Sequence, residues 1–321
     1  MAVTTYRQAA IDGLAGELER DPRVWALGED IGRGGTYGQY GDLAERFPER
    51  IVSTPISEAT IMGAGVGAAL VGTRPVVELR AVDFALCAVD EMINQAAKAR
   101  YMFGGQARCP VVIRQATGLR SSTAAQHSQS FEAWYVHVPG LVVLAPATPA
   151  DNKGLLAAAV RCDDPVIYLE SKSLWDAEGE VPDGDHETPI GQARIAREGG
   201  DATIVTWSGA LPPVEQAAEA AAAKGIAVDV IDLRSLWPWD EEAVLASVEK
   251  TGRLIIAHEA VQVGGFGAEI SATVAEKIGH RLKAPVRRFG APRIPVPFSP
   301  PLEEVCKVQV DGIVAALEAM A

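Results

Sequence analysis

The chain has 321 residues, 48% hydrophobic and 22% charged, which is ordinary for a packed globular protein of about two domains. Its net charge of -13 argues against nucleic-acid binding, because an acidic surface repels the phosphate backbone. No run approaches the roughly 18 consecutive apolar residues of a membrane span, and the amino-terminal residues lack the apolar core of a signal peptide. We therefore expect a cytoplasmic protein that does not bind membranes.

Helix-like and strand-like patterns alternate over the first 170 residues, as in a parallel α/β sheet. After an amino-terminal helix, the pattern predicts strands at 24–28, 75–79, 111–114, 141–145 and 166–170, and helices at 57–71, 85–101, 130–137 and 151–161. Residues 171–187 are polar and contain Pro and Gly, which is typical of a linker between domains.

The alternation restarts beyond this segment. The predicted strands are 202–207, 228–233, 253–258 and 286–289, and the predicted helices are 212–224, 240–250, 267–278 and 302–320. We therefore expect an α/β protein with two domains, 1–185 and 186–321, each a mostly parallel sheet flanked by helices.

An acidic residue, Glu58, stands in the first turn of the helix predicted after Pro55. Compensation of the helix macrodipole alone would explain it. However, Gly63, Gly65 and Gly67 follow within the same helix, and each lowers helix propensity. A helix that keeps them needs a close backbone approach to something, and a carboxylate at the mouth of such a cleft could exchange protons with a ligand.

Other motifs leave alternatives open. The segment 63–68 (GAGVGA) fits a loose dinucleotide fingerprint, but no strand immediately precedes it. His127 lies in a loop after a predicted strand, as a binding residue or as a solvent-facing side chain. Phe84 at a strand end could stack on a ligand ring or belong to the core. The glycines at 264–267 suit an anion site or a structural turn.

Taken together, these segments resemble one family along nearly the whole chain. The matching stretches include LGEDIG (27–32), TPISEATIMGAGVGAAL (54–70), INQAAKARYMFGG (93–105), AAQHSQ (124–129), DNKGLLAAAVRCDDPVIYLE (151–170) and HEAVQVGGFGAEI (258–270). Their order and length are those of the β subunit of the thiamine-diphosphate-dependent 2-oxoacid dehydrogenase component. The resemblance implies a pyrimidine-binding domain followed by a transketolase C-terminal-type domain.

The resemblance also implies roles for individual residues. Glu58 matches the glutamate that hydrogen-bonds the aminopyrimidine of thiamine diphosphate and promotes its imino tautomer. Ile56 and Phe84 match residues that contact the cofactor, and Phe84 matches the aromatic that stacks on the pyrimidine. His127 matches the histidine that assists acyl transfer to the lipoyl group. The resemblance further implies a structural monovalent-cation site for K⁺, formed largely by backbone carbonyls of Val111, Ala159, Val160, Cys162 and Asp164.

The chain lacks the Gly-Asp-Gly segment that holds Mg²⁺ and the cofactor's pyrophosphate in thiamine enzymes. In this family that segment belongs to the α subunit, which implies an α2β2 heterotetramer with active sites between α and β subunits. The family further implies a lipoyl-bearing acyltransferase whose basic subunit-binding domain docks on the acidic chain.

Three hypotheses follow. The first is a catalytic β subunit that acts on a 2-oxoacid, of pyruvate or branched-chain type, or on acetoin. The second is a non-catalytic assembly subunit, and the third a dinucleotide-dependent oxidoreductase. One departure from the family bears on the substrate: Arg80 stands where related subunits usually have an apolar or aromatic residue.

Overall fold

The computed structural model describes residues 1–320, which divide into two compact units. Unit 1 comprises residues 1–117 and 134–190, and unit 2 comprises residues 118–133 and the chain from 191 onward. The expected α/β class with mostly parallel sheets is confirmed. The units differ from the contiguous domains 1–185 and 186–321 mainly in the segment 118–133, which groups with the second unit.

Unit 1 contains a parallel sheet and a separate strand pair. Its strands are β1 (Ala2–Thr5), β2 (Val24–Glu29), β3 (Ile51–Thr54), β4 (Arg74–Ala81), β5 (Val112–Thr117), β6 (Val142–Leu144), β7 (Val166–Ser171) and β8 (Glu178–Val181). Strands β6, β7, β5, β4, β2 and β3 lie side by side in that order, and each pair is parallel. Every residue of β5 and β7 is buried, as expected for central strands covered on both faces.

The prediction of a linker at 171–187 is wrong. This segment contains β8, which pairs antiparallel with β1, and a 3-10 turn at Lys172–Leu174. The side chain of Trp175 in the same segment is only 2% exposed. Its polar composition suits an exposed two-stranded edge rather than a flexible connection, because β8 buries only its last residue, Val181.

The helices within the first 190 residues are α1 (Tyr6–Arg20), α2 (Leu43–Arg46), α3 (Glu58–Leu70), α4 (Val82–Ala85), α5 (Ala97–Met102), α6 (Glu132–Val136) and α7 (Pro149–Arg161). Helices α1 and α7 contribute Leu14, Leu155 and Ala159 to one hydrophobic cluster with the sheet. The side chains of Thr5 and Thr148 cap these two helices by accepting from backbone N–H groups three residues on.

The continuous helix predicted at 85–101 is instead interrupted. A π-helical segment, Glu91–Ala96, precedes α5. Asp90 accepts hydrogen bonds from the side chains of Asn94 and Gln95, at 2.6 Å and 3.2 Å. π-Helical turns are rare in proteins overall, and those that do occur often lie at functional sites.

Unit 2 contains strands β9 (Arg194–Arg197), β10 (Ala202–Thr206), β11 (Val228–Asp232), β12 (Ser235–Trp237), β13 (Leu254–Val261) and β14 (Arg287–Ala291), and helices α8 (Leu211–Ala222), α9 (Glu241–Thr251), α10 (Gly267–Ile278), α11 (Pro300–Glu303) and α12 (Val310–Met320). Its sheet has the order β14, β13, β10, β11, β9, with only β9 antiparallel to its neighbour. The single helix predicted at 302–320 is divided, because the backbone of Lys307 is extended.

No helix within residues 1–320 combines the length and the apolar character that crossing a membrane would require.

Candidate functional site

The carboxyl ends of β2, β3 and β4 bring several charged side chains to one edge of the unit 1 sheet. Glu29, the last residue of β2, pairs in register with Thr54, the last residue of β3. On the other side of β2, Gly28 pairs with Glu78 of β4. Since neighbouring strands lie about 4.8 Å apart, Glu29 and the residues that follow β3 and β4 share this edge. Ligands of open α/β sheets bind beyond such strand ends.

Glu58 lies at this edge as the first residue of α3, four residues after the end of β3. Ser57 precedes it but does not cap the helix, because the Ser57 hydroxyl donates to the Thr60 hydroxyl at 2.9 Å. Glu58 is half-buried, and no residue within 1–320 forms a hydrogen bond or ion pair with its carboxylate. Ile56, in the turn before it, is 68% exposed. The carboxylate is therefore available to a ligand.

The glycines of α3 have two different environments. A Cβ on Gly65 would lie 2.3 Å from Cγ2 of Val77, so Gly65 allows the helix to pack tightly on β4. Gly63 and Gly67 are exposed, and nothing lies within 4 Å of a Cβ built on Gly67. Because all three lie inside a helix rather than in a loop after a strand, the dinucleotide interpretation of this segment is wrong.

Arg80 is the charged residue of β4 at the same edge, and sequence reasoning gave it no definite role. Its φ angle is +64°, a left-handed conformation that costs a non-glycine residue about 1–2 kcal/mol. The backbone N–H of Arg80 donates to Oε1 of Glu78 at 2.9 Å. Its guanidinium Nη1 donates to Oε1 of Glu29. Two carboxyl groups thus hold Arg80 in place, and this arrangement depends on strand pairing that the sequence does not display.

A buried polar cluster lies beneath this edge. Arg114 is fully buried and forms an ion pair with Glu170. Its Nε donates to Oε2 of Glu170 at 2.5 Å, and its Nη2 donates to Oε1 at 3.0 Å. The guanidinium also lies over the ring of Tyr40, 5.1 Å from the centroid. Glu78 is 3% exposed, and its Oε2 has no hydrogen-bond partner. Burial raises the pKa of Glu78 to about 8, against the opposing effect of Arg114, so this carboxyl is largely protonated at neutral pH.

The raised pKa of Glu78 predicts how stability depends on pH. The pKa of Glu78 in the folded state, about 8, exceeds its ordinary value of 4.5. As the pH rises from 4.5 to 8, the unfolded state loses this proton while the folded state keeps it, so the free energy of unfolding falls. We expect Glu78→Gln to raise the free energy of unfolding above that of the wild type at pH 8, with the difference shrinking towards pH 5. Urea unfolding at both pH values measures this, and a difference independent of pH would contradict it.

Phe84 lies in α4, directly after β4, and is half-buried. The structure thus brings Glu58, Ile56 and Phe84 to strand ends of the same unit. The π-helical segment is a neighbour of α3, since a Cβ on Gly63 would lie 3.8 Å from Cγ of Glu91.

His127 belongs to the segment that groups with unit 2. Its side chain is exposed. A hydrogen bond of 3.1 Å from the backbone N–H of Gly118 to the carbonyl of Gln129 closes the loop around it. Ser122 and Ala124 have φ angles of 60° and 57° within this loop. Such backbone strain is concentrated at functional sites, which is compatible with a binding role for the loop.

The residues assigned to a monovalent-cation site lie where α7 ends and around the start of β5; they are Val111, Ala159, Val160, Cys162 and Asp164. Nη1 of Arg74 donates to the carbonyls of Val160 and Cys162, both at 2.9 Å. Nε of Arg100 pairs with the carboxylate of Asp164 at 2.6 Å. A bound cation would therefore share two of these carbonyls with a guanidinium.

The glycine loop at 264–267 is explained by packing. Cβ atoms on Gly265 and Gly267 would lie 2.7 Å and 3.1 Å from the ring of His258. That ring is fully buried and stacks on Trp207 at 5.1 Å between centroids. Burial lowers the pKa of His258 to about 4, so the histidine is neutral. The structural interpretation of these glycines is therefore favoured over an anion site.

A cavity of about 720 Å³ lies elsewhere in unit 1, between α1, α7 and residues 181–186. Arg161, which lines this cavity, pairs with Glu17 and Asp185 of the same lining. It holds none of the residues singled out from the sequence, so the strand edge with Glu58 is the better candidate.

Both units match known protein families. Residues 2–176 match the transketolase pyrimidine-binding domain, and residues 191–313 match the transketolase C-terminal domain. Among solved structures, a split-gene transketolase described as an inactive β4 tetramer is 25% identical with a TM-score of 0.81, covering 98% of this chain and 97% of its own.

Curated relatives are similar over almost their full length. The β subunit of acetoin:2,6-dichlorophenolindophenol oxidoreductase from Cupriavidus necator is 44% identical, over 94% of this chain and 92% of its own length. The β subunit of 2-oxoisovalerate dehydrogenase from Bacillus subtilis is 40% identical, over 100% and 99%. A mitochondrial β subunit of the pyruvate dehydrogenase E1 component from Oryza sativa is 42% identical, over 97% and 85%. The chain therefore belongs to the family of β subunits of the 2-oxoacid dehydrogenases, with their transketolase-like fold.

Proposed function

We propose that this chain forms the pyrimidine-facing half of a thiamine diphosphate site and that Glu58 is its catalytic carboxylate. The observation that carries the proposal is the carboxylate of Glu58, which lies at the carboxyl edge of a parallel sheet without a partner among residues 1–320. Family membership supports the proposal, because the match to the pyrimidine-binding domain spans Glu58.

Four residues of the chain have separate tasks in the proposed site. Glu58 holds a proton against the ring nitrogen of the aminopyrimidine, and Phe84 packs on the ring face while Ile56 contacts the ring from the turn before α3. His127 assists acyl transfer to a lipoyl group. When bound, thiamine diphosphate supplies the electron sink for cleaving the bond next to a carbonyl, whereas the protein supplies position and electrostatics.

A second chain is required to complete the site. The pyrophosphate end needs Mg²⁺ with carboxylate and phosphate ligands, and this chain has no Gly-Asp-Gly segment to provide them. The relatives are named as β subunits, which supports an α partner, in an α2β2 assembly. The exposed small residues Gly63 and Gly67 of α3 would allow a neighbouring backbone to approach closely.

The reaction proposed is oxidative decarboxylation of a 2-oxoacid, or cleavage of acetoin, with transfer of the acyl unit to lipoamide on an acyltransferase. A branched-chain 2-oxoacid is the alternative substrate, supported by the relative that acts on 2-oxoisovalerate. The net charge of -13 supports docking of a basic binding domain of the acyltransferase. A cytoplasmic location and K⁺ at the residues around Arg74 stay predictions.

Reconstitution tests this function. The chain is co-expressed with a Gly-Asp-Gly-containing α chain, and turnover of pyruvate, 2-oxoisovalerate and acetoin is followed with an artificial electron acceptor. We expect activity that requires both chains and thiamine diphosphate. With lipoamide as acceptor, His127→Ala should lose acylation while reduction of the artificial acceptor persists. A correctly assembled complex that turns over none of the three substrates would refute the proposal and favour a non-catalytic assembly subunit.

A further inference from the structure

The guanidinium of Arg80 has unused binding capacity. Only Nη1 forms a hydrogen bond, to Glu29, and no other residue within 1–320 accepts from the remaining guanidinium N–H groups. The side chain is 31% exposed, so a ligand can reach it. A planar guanidinium binds a carboxylate through two parallel hydrogen bonds, and Nε and Nη2 are free to form such a pair while Nη1 stays on Glu29.

Contacts from neighbouring residues hold Arg80 in its position. The Arg80 backbone adopts φ +64°, and the buried carboxyl of Glu78 holds its N–H group. In addition, a Cβ on Gly28 would lie 2.7 Å from Cβ of Glu78, so the neighbouring strand leaves room for this support. The structure therefore maintains an unfavourable backbone conformation that directs Arg80 to the edge where Glu58 lies.

The charges at this edge explain why a cation is needed there. Glu29 ends β2 and Glu58 begins α3 after β3, which places two carboxylates at this edge, and the whole chain carries a net charge of -13. An anionic substrate would be repelled by these groups unless a cation offset them. A neutral substrate such as acetoin would need no such cation.

We infer that Arg80 binds the carboxylate of the substrate, and that the substrate is consequently a 2-oxoacid rather than acetoin. The inference rests on the proposed function and adds the substrate class to it. Arg80 contacts the same carboxylate when the substrate binds and as the reaction begins, so its effect falls on KM much more than on kcat. Glu29 and the substrate carboxylate share the single positive charge of the guanidinium, so Glu29 weakens the attraction of Arg80 for the substrate.

The test uses three variants in the complex with the α chain. Arg80→Gln should raise KM for pyruvate about 10- to 100-fold, with kcat little changed. Glu29→Gln should lower KM for pyruvate, because the positive charge of Arg80 is then no longer offset by a neighbouring carboxylate. Arg33→Gln is the matched control: Arg33 follows β2, is exposed and forms no ion pair, and its removal should leave KM for pyruvate unchanged.

Several outcomes would overturn the inference. If Arg80→Gln and Glu29→Gln lower the melting temperature equally and shift KM in the same direction, the pair is merely structural. A wild-type complex that turns over acetoin but no 2-oxoacid would overturn it while leaving the proposed function standing. Calorimetric titration with pyruvate, on complexes without thiamine diphosphate, gives a readout that needs no turnover, and equal affinity in wild type and Arg80→Gln would refute the role of Arg80 directly.

Discussion

Glu58→Gln, assembled with the α chain, is expected to lower kcat by about 10²- to 10⁴-fold, the usual contribution of a positioned acid or base. The amide retains the size of the side chain but cannot hold a proton that it passes to the aminopyrimidine. Because the Glu58 carboxylate has no partner within residues 1–320, its replacement breaks no internal hydrogen bond. Size-exclusion chromatography should therefore show an unchanged assembly, and steady-state kinetics should show the loss.

A matched variant separates this role from helix electrostatics. Glu242 is an exposed acid in the first turn of α9, and Glu242→Gln removes a comparable macrodipole interaction, worth about 0.3–1 kcal/mol. Glu242→Gln should leave kcat unchanged. If Glu58→Gln retained full activity with a similarly small loss of stability, Glu58 would be only a helix-terminal charge.

Arg114→Met is expected to lower the free energy of unfolding by about 3–5 kcal/mol, because removing one partner of a buried ion pair leaves an uncompensated charge. Arg114 and Glu170 are 0% and 1% exposed. The residual carboxylate of Glu170 would keep only the amide of Asn152, at 3.0 Å, as its donor. Denaturant unfolding of the chain measures the change.

The double variant Arg114→Met/Glu170→Leu tests the reason for that loss. Replacing both charges by apolar groups should recover much of the stability, because the desolvation penalty disappears with the pair. Lys307→Met provides a surface comparison, since Lys307 and its partner Glu304 are 49% and 58% exposed and such pairs contribute about 0–1 kcal/mol. A double variant as unstable as Arg114→Met would contradict the explanation.

Local sequence signals predicted the part of the site that local structure determines. A helix was predicted to begin just after Pro55, and α3 begins three residues after it. The prediction also holds for α10, whose bounds 267–278 agree with the predicted ones. In each case the apolar pattern lies within the helix, and the residues that favour its start lie in or just before its first turn.

Features that depend on distant residues were not predicted. Strand β8 pairs with β1, which lies at the amino-terminal end of the chain. The polar composition of β8 resembles that of a linker. The ion pair of Arg80 with Glu29 joins residues 51 positions apart, and it exists only because β4 lies beside β2. The grouping of the His127 loop with unit 2 likewise has no local signal.

The central claim concerns the proton that Glu58 controls, and hydrogen–deuterium exchange at the thiazolium carbon of thiamine diphosphate measures it most directly. The complex with the α chain is mixed with deuterium oxide, quenched with acid and analysed by NMR. We predict that exchange in the wild-type complex is at least about 100-fold faster than in the Glu58→Gln complex. Equal exchange rates in the two complexes, with the cofactor bound in both, would contradict the claim.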